Sequence, residues 1–265
     1  MKARPSNLSV ERAARSLGVT RSQVYRRKKE RSDDELLAQI EDVVGAMSGY
    51  GYRRVAAQLG VAPKRVRRVM KRSGLQVRRH RTGKRTTFAR KMKAAQNLVR
   101  HRRPNGVDQV WACDVTAIRV QRAWCYAAVV LDLYSRKVVG WAVSGRNDTM
   151  LTLSAMSRAL ASRRPPRGLV HHSDRGSNYT SPSYQDFLAS VGVVASFADP
   201  GSPRQNAFVE SFFHTLKTES IDEVFSDRDA VQAALHRYIT LYNEQRLHSS
   251  LHYQSPDQFE TSLAG

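Results

Sequence analysis

The sequence predicts an α/β core, a mixed five-stranded sheet with flanking helices, preceded by an all-α and strongly basic front. Three observations carry that expectation. Apolar residues recur at helical spacing as far as about residue 70, then give way after residue 109 to short β-branched and aromatic runs. Charge divides at the same place: residues 1 to 104 hold 29 Lys and Arg against 7 Asp and Glu, and residues 105 to 265 hold 15 against 16. The back half also places single carboxylates inside or at the ends of otherwise apolar segments, where burial without a partner is costly.

The net charge of the 265-residue chain is +21, and from Val43 to Val107 there are 19 basic residues and no acidic one. Such a balance implies a polyanionic partner, with nucleic acid the leading class. No run approaches the ~18 apolar residues of a membrane span and no apolar segment behind Met1 reads as a signal peptide, so a soluble cytoplasmic protein is expected. Cys113 and Cys125, the only cysteines, lie in apolar stretches and read as small buried hydrophobes, excluding a disulfide framework or cysteine-rich zinc module.

In the front, Val10, Ala13, Ala14 and Leu17 follow helical spacing, Leu17-Gly18-Val19 makes a turn, and Thr20 caps a second helix whose Val24 and Tyr25 face back. This is a helix-turn-helix pattern over residues 1–32. A second module, 33–78, is clearer. Leu36, Leu37, Ile40, Val43, Val44 and Met47 stripe one helix; Val55, Ala56 and Leu59 stripe another, closed by Gly60; Pro63 opens a third. There Val66, Val69 and Met70 face inward and leave Lys64, Arg65, Arg67, Arg68, Lys71 and Arg72 outside. No acid stands at four-residue spacing to them, so a DNA-contacting role is expected. Residues 79–104 read as a basic linker that tracks DNA or orders on it.

The back half, 105–265, opens with an apolar strand over Val110 to Val115 interrupted by Asp114. Ala123 to Leu133 and Lys137 to Val143 read as neighbouring antiparallel strands, Thr149 to Ser162 as a helix ended by Pro165-Pro166, and Gly168 to His172 as a strand delivering Asp174. Tyr184 to Val191 is helical, Val193 to Phe197 a strand, and a longer helix runs from Arg204 to Glu219, before a C-terminal helical segment. Three strands, helix, strand, helix, strand, helix is the layout of the RNase H-like fold. That fold sets an Asp on the central strand beside an Asp at the end of the fourth, and a late helix brings a third carboxylate over them; here these are Asp114, Asp174 and Glu210. Anions so close repel unless cations intervene, which implies a hard oxygen-ligand metal, Mg²⁺ or Mn²⁺. Two ions about 3.5 to 4 Å apart would serve an in-line phosphoryl displacement.

Six ordered stretches resemble the OrfB-type transposases of the bacterial IS3 family, within the retroviral-integrase superfamily of DDE enzymes. They are Tyr50 to Val55 with Arg68-Val69-Met70 and Gly74-Leu75; Trp111 to Thr116; Leu131 to Arg136 with Gly140-Trp141; His172 to Tyr179; Asn206 to Phe212; and Tyr242-Asn243 with Arg246 to Leu251. Asp174 and Glu210 are separated by 35 residues, the spacing of that family's acidic motif. The motif's basic residue seven positions after the Glu is Lys217, on the same helical face, and could hold a terminal phosphate. Gln205-Asn206 replaces the Asp-Asn pair of many relatives, and Asn178 a common Gln. The resemblance implies metal-dependent strand cleavage and transfer at the ends of an insertion element, a multimer on DNA, and a possible OrfA partner or fusion.

Asp132 occupies a place in the family pattern that reads as structural. His172 reads as a strand-end packing residue or a contact to the active site or DNA, His214 as a substrate-positioning candidate, and Arg246 with His248 as structural or DNA-contacting. Competing functions are a helix-turn-helix regulator, which leaves the three carboxylates unexplained, and an RNase H-like nuclease without strand transfer.

Overall fold

A computed structural model describes residues 10–16, 18–77, 96–100, 104–121, 123–199, 202–221 and 224–264. The chain forms two compact units, Met1–Arg78 and Arg79–Gly265. The expectations for Leu17 and for most of the basic linker fall outside the described residues, as do those for the side chains of Val24 and Tyr25.

The first unit contains α1 (Val10–Ser16), α2 (Arg21–Ala46), α3 (Tyr52–Leu59) and α4 (Pro63–Arg72). Thr20 caps α2 through a reciprocal box: its hydroxyl accepts from the Gln23 amide at 3.2 Å, and the Gln23 side chain accepts from the Thr20 amide at 2.7 Å. α2 then runs for 26 residues, straight through the boundary expected between residues 32 and 33. No Gly or Pro interrupts Arg21 to Val44, and its Arg, Lys and Glu residues are good helix formers, so a polar stretch that reads as a break costs the helix little. Ile40, Tyr50, Val55 and Val66 are fully buried and form the centre of the unit. Gly60 ends α3 in the left-handed conformation, φ 64°, which lets α4 turn back onto it.

The expectation that all six α4 cations are available on the outside is corrected here. Asp33 of α2 is buried and accepts from Arg65 Nε at 3.2 Å and Arg68 Nη2 at 2.7 Å, while Arg72 lies 3.4 Å from Asp34. Helical spacing within α4 could not reveal partners 32 to 38 positions away in the sequence. Arg67 is exposed and lies over the Tyr52 ring, 5.8 Å from its centroid, and Lys64 and Lys71 are exposed too.

The second unit is built on β1 (Val110–Val120), β2 (Ala123–Asp132), β3 (Val138–Ser144), β4 (Val170–Ser173) and β5 (Val194–Phe197), in the order β3-β2-β1-β4-β5. The β1–β2 and β2–β3 pairs are antiparallel, and β1–β4 and β4–β5 are parallel. β1 extends beyond the expected Val115, because Thr116 to Val120 keeps the alternation and pairs with β2 as far as Ala123. Strand alternation sends Val110, Ala112, Ile118 and Val120 to one face and Trp111 and Cys113 to the other. On the first face pack α8 (Ala207–Glu219), through Val209, Phe212 and Leu216, and α9 (Arg228–Glu244), through Val231 and Leu235. On the second pack α5 (Thr149–Arg163), through Leu151, Ala155 and Met156, and α7 (Pro182–Ser190), through Tyr184 and Leu188. The short α6 (Ser177–Thr180) precedes α7, and α10 (Pro256–Ala264) ends the chain. Both cysteines are free and buried.

Asp132 is structural. Fully buried, it accepts from the amides of Asp108 at 2.7 Å, Tyr134 at 2.8 Å and Ser135 at 2.9 Å, tying the entry of β1 to the β2–β3 turn. Burial pushes its carboxyl up, against the pull of those amides. Residues 96–100, assigned to the linker by sequence, belong to the sheet's periphery: Phe197 N donates to Gln96 O at 3.1 Å and Leu98 N to Ser196 Oγ at 3.0 Å.

Two stability measurements check this packing. Asp33→Ala strands two arginines, and because both are partly exposed the expected loss is about 1–2 kcal/mol in the first unit, read by urea unfolding. Burial raises the Asp33 pKa, but the hydrogen bonds and charges of Arg65 and Arg68 outweigh it and hold the carboxyl below its ordinary value of 3.8. Its stabilisation is therefore present above that value and is lost as pH falls below it. In the second unit, a Cβ at Gly140 would lie 2.5 Å from Ala155 O and 2.6 Å from Ala159 Cβ. Gly140→Ala should then cost about 1–3 kcal/mol by forcing β3 off α5; an unchanged unfolding midpoint would contradict this packing.

Candidate active site

The last described β1–β4 pair is Ala112 with His172. Asp114 stands two positions further along β1, and Asp174 follows directly on the end of β4 at Ser173. Asp114 shares the parity of Val110, Ala112 and Ile118, which belong to the core beneath α8 and α9. Both acids are half-buried.

Local hydrogen bonds aim them. Asp114 Oδ1 accepts from the Val115 amide at 2.8 Å. Asp174 Oδ1 accepts from the Gly176 amide at 2.9 Å, and a Cβ at Gly176 would meet that same oxygen at 2.9 Å, so this close turn needs glycine. Burial, then the Cys113 thiol and the Asp114 and Asp174 carboxylates, push the Tyr179 hydroxyl well above its ordinary range. That hydroxyl is buried without a hydrogen-bond partner among the described residues.

Glu210 arrives from above, exposed in the first turn of α8. The segment expected as one helix from Arg204 starts instead with a 3₁₀ turn, Pro203–Asn206, and becomes α-helical at Ala207. Asn206 joins the two: buried, it donates from Nδ2 to Cys113 O at 3.2 Å and anchors α8 on β1 next to Asp114. Lys217, two turns beyond Glu210, lies along the same flank. Partial desolvation lowers the pKa of its ammonium, and the Asp114 carboxylate opposes that shift, which places the two within electrostatic reach.

Among the described residues no three His, Cys, Asp or Glu side chains already converge into a cation-binding group. The structure carries Asp114 on β1, Asp174 just after the paired strand β4, and Glu210 on α8, which packs on the face of the sheet that includes Ala112 and Ile118. The donors are oxygens, the type a hard divalent cation takes, and Asn206 adds a buried Oδ1 that lacks a partner among the described residues. This donor set fits Mg²⁺ or Mn²⁺.

The histidines fall among the readings that the sequence left open. His172 is buried, its Nδ1 3.0 Å from Ser196 Oγ, and is a packing residue. His171, behind the sheet, has its Nε2 2.9 Å from Tyr184 OH, and burial with the neighbouring His172 lowers its pKa to about 3, so it is neutral. His214 is exposed one turn after Glu210. Arg246 makes a buried pair with Glu219 at 2.9 Å and His248 packs on Tyr242 at 4.9 Å, both structural contacts. Asn178 donates to Asn147 Oδ1 at 2.5 Å. The anchoring role of Asn206 and the buried Tyr179 hydroxyl were not foreseen; an amide three residues after Pro203 and four before the Glu was the available signal.

Residues 104–203 match one integrase core domain family and residues 191–256 a second. The transposase for insertion sequence element IS904 of Lactococcus lactis is 40% identical over 169 residues, 60% of this chain and 67% of that protein. The transposase InsF for IS3A of Escherichia coli is 42% identical over 158 residues, 59% of this chain, and the match spans about half of that relative, 55%. An intasome of simian T-cell lymphotropic virus in complex with the PP2A subunit B56 gamma shares the fold, with a TM-score of 0.51 and 16% identity over 83% of this chain and 73% of that chain. The 31 kDa protein of insertion element IS600 from Shigella sonnei is 34% identical over 258 residues, 91% of this chain and 95% of that one. With that near full-length likeness and an integrase-type core in which an aspartate-bearing central strand adjoins a second aspartate, the chain belongs to the IS3 family of DDE transposases.

Proposed function

We propose that this transposase cuts and joins DNA with Asp114, Asp174 and Glu210, and that its first unit grips the ends of the insertion element. The observation that carries the catalytic assignment is the parallel pairing of β1 with β4, which ends at Ala112 and His172, two residues short of Asp114 and Asp174, together with Glu210 in the first turn of α8, the helix packed on that sheet.

When bound, two Mg²⁺ or Mn²⁺ ions would supply charge neutralisation and Lewis acidity to the attacking and leaving oxygens. Asp114 and Asp174 would be the ligands held at the sheet, and Glu210 would complete the set from the exposed flank of α8. Lys217 carries a positive charge along the same flank, where it would hold a DNA phosphate against the carboxylates. Asn206 fixes the distance between α8 and β1, and hence between the third acid and the first two. Hydrolysis would release a 3′-hydroxyl, and the same groups would then align that hydroxyl on a second phosphodiester.

In the first unit, α4 reads as the recognition helix of a helix-turn-helix, with Lys64, Arg67 and Lys71 as the foremost phosphate contacts and Arg53 beside them on α3. Arg65, Arg68 and Arg72, each paired with α2, serve to orient α4 as much as to touch DNA. Two element ends must be held at once, which calls for more than one copy of the chain; an upstream OrfA partner or fusion would add further DNA binding. Among the described residues no helix is long and apolar enough to cross a membrane.

Glu210→Gln tests the assignment on labelled DNA carrying the ends that flank the gene. Metal-dependent cleavage should fall by more than about 100-fold, since even second-sphere changes at metal sites cost about 10- to 100-fold, while DNA affinity persists. Full cleavage by the variant would remove Glu210 from the site. Lys217→Gln should lower the slope of log affinity against log salt by about one, the signature of a single lost phosphate contact; an unchanged slope would leave Lys217 without that role.

A further inference from the structure

Phe208 and Glu210 are two positions apart on α8, so they point to opposite flanks of the helix. On the Phe208 flank lies a cavity of about 810 Å³, within the range of nucleotide-sized sites. Its walls include Asn97, Arg100, Tyr134, Arg136, Phe208 and Phe259, and no carboxylate lines it.

Arg136 is the unusual member. It holds φ 64°, the left-handed conformation that glycine adopts freely and an arginine does not. Its guanidinium lies 3.7 Å over the Phe208 ring, and its Nη1 is buried with no hydrogen-bond partner among the described residues. A buried cationic donor left unmatched is costly. The nearest acid cannot relieve it, because the Asp132 carboxylate is occupied by the amides of Asp108, Tyr134 and Ser135. The polar rim is also committed: Asn97 donates to Gln205 Oε1 at 2.7 Å, and Gln205 donates to Asp199 Oδ2 at 2.8 Å. Phe208, by contrast, is 48% exposed, so a ring capped by Arg136 on one side remains open to solvent on the other. Arg100 stands at the mouth, its side chain 61% exposed and its Nη1 3.6 Å from Asp199 Oδ2, a solvent-accessible pair that a phosphate can compete with.

A half-buried guanidinium with an unmatched nitrogen, a second arginine and an open aromatic ring are the groups that take a phosphate and an unstacked base together. We propose that this cavity holds one unpaired nucleotide of a DNA strand, its phosphate on Arg136 and its base against the open side of Phe208. The assignment rests on the reading of the chain as a DNA-processing enzyme, and it adds to the carboxylate site a second grip on the other side of α8. A blunt duplex offers no such nucleotide; a frayed or cleaved end does.

The test uses the full chain and fluorescence anisotropy with two DNAs of one sequence, a blunt duplex and the same duplex with a short 3′ overhang carrying 5-iodouracil. Arg136→Gly removes the cation while suiting the backbone conformation, and Phe208→Ala alters an exposed side chain. Each should weaken overhang binding about tenfold and leave blunt-duplex binding unchanged, and irradiation of the wild type should cross-link the overhang to the peptide bearing Phe208 or Tyr134. The proposal is overturned if both variants bind the overhang as the wild type does, or if Phe208→Ala loses both DNAs equally. It is also overturned if Arg136→Gly changes the oligomeric state by light scattering and not the overhang affinity, since a second copy then fills the cavity. Overhang binding that depends on these residues in a protein that never cleaves DNA would uphold the cavity and sink the transposase mechanism alone.

Discussion

β1 is paired along both edges, antiparallel to β2 and parallel to β4, and this double pairing sets the position of everything that acts in the second unit. A strand buried on both sides has no freedom of register, because a shift by one residue would exchange its two faces. Asp114 is therefore fixed by backbone hydrogen bonds before any side chain makes a specific contact, and Asp174 follows directly on the strand paired with it. Two carboxylates brought close repel, and ten pairs of β1 with β2 and the apolar layers on both sides hold the strand that carries the first of them. Strain of this kind, concentrated where chemistry is expected, is a common feature of functional sites.

The third acid is held by different means. α8 has no strand register to fix it, so it is anchored at both ends. At its start Asn206 bonds the backbone of β1, and at its end Glu219 accepts two nitrogens of Arg246, a pair almost wholly buried. Between them Phe212 packs edge-on to Tyr242 at 4.9 Å, and Leu216 is fully buried. Replacing either member of the Glu219–Arg246 pair would leave a buried charge unmatched, which is far more costly than never having had the pair. The inward face of α8 is thus immobilised by the core, and its two flanks are left to carry Glu210 with Lys217 on one side and Phe208 on the other.

Much of this architecture is legible in the sequence because it rests on local signals. The β-branched runs, the cap at Thr20, the turn at Gly60 and the Pro165-Pro166 stop each report their own neighbourhood, and the positions of Asp114 within β1 and Asp174 just after β4 follow from them. What sequence missed depends on distance along the chain. Asp33 pairs with Arg65 and Arg68, so α4 looked like six free cations when two are tied to a buried acid. The continuity of α2 was hidden because a charged stretch carries no apolar period. α9 was not singled out, although Val231, Leu235, Tyr238 and Tyr242 sit at helical spacing, because no motif drew attention to it. Arg136 could be quoted as part of a family pattern, yet neither its left-handed backbone nor its stack on Phe208 has a sequence signature.

The claim on which the account stands is that Asp114, Asp174 and Glu210 close around divalent cations. Anomalous diffraction from crystals of the protein grown with Mn²⁺ and a DNA end measures it directly. The account predicts manganese peaks within about 2.0–2.3 Å of carboxylate oxygens of Asp114 and Asp174, with Glu210 turned toward one of them. Peaks seated on other acids, or an ordered DNA end at β1 with no metal between Asp114 and Asp174, would contradict it.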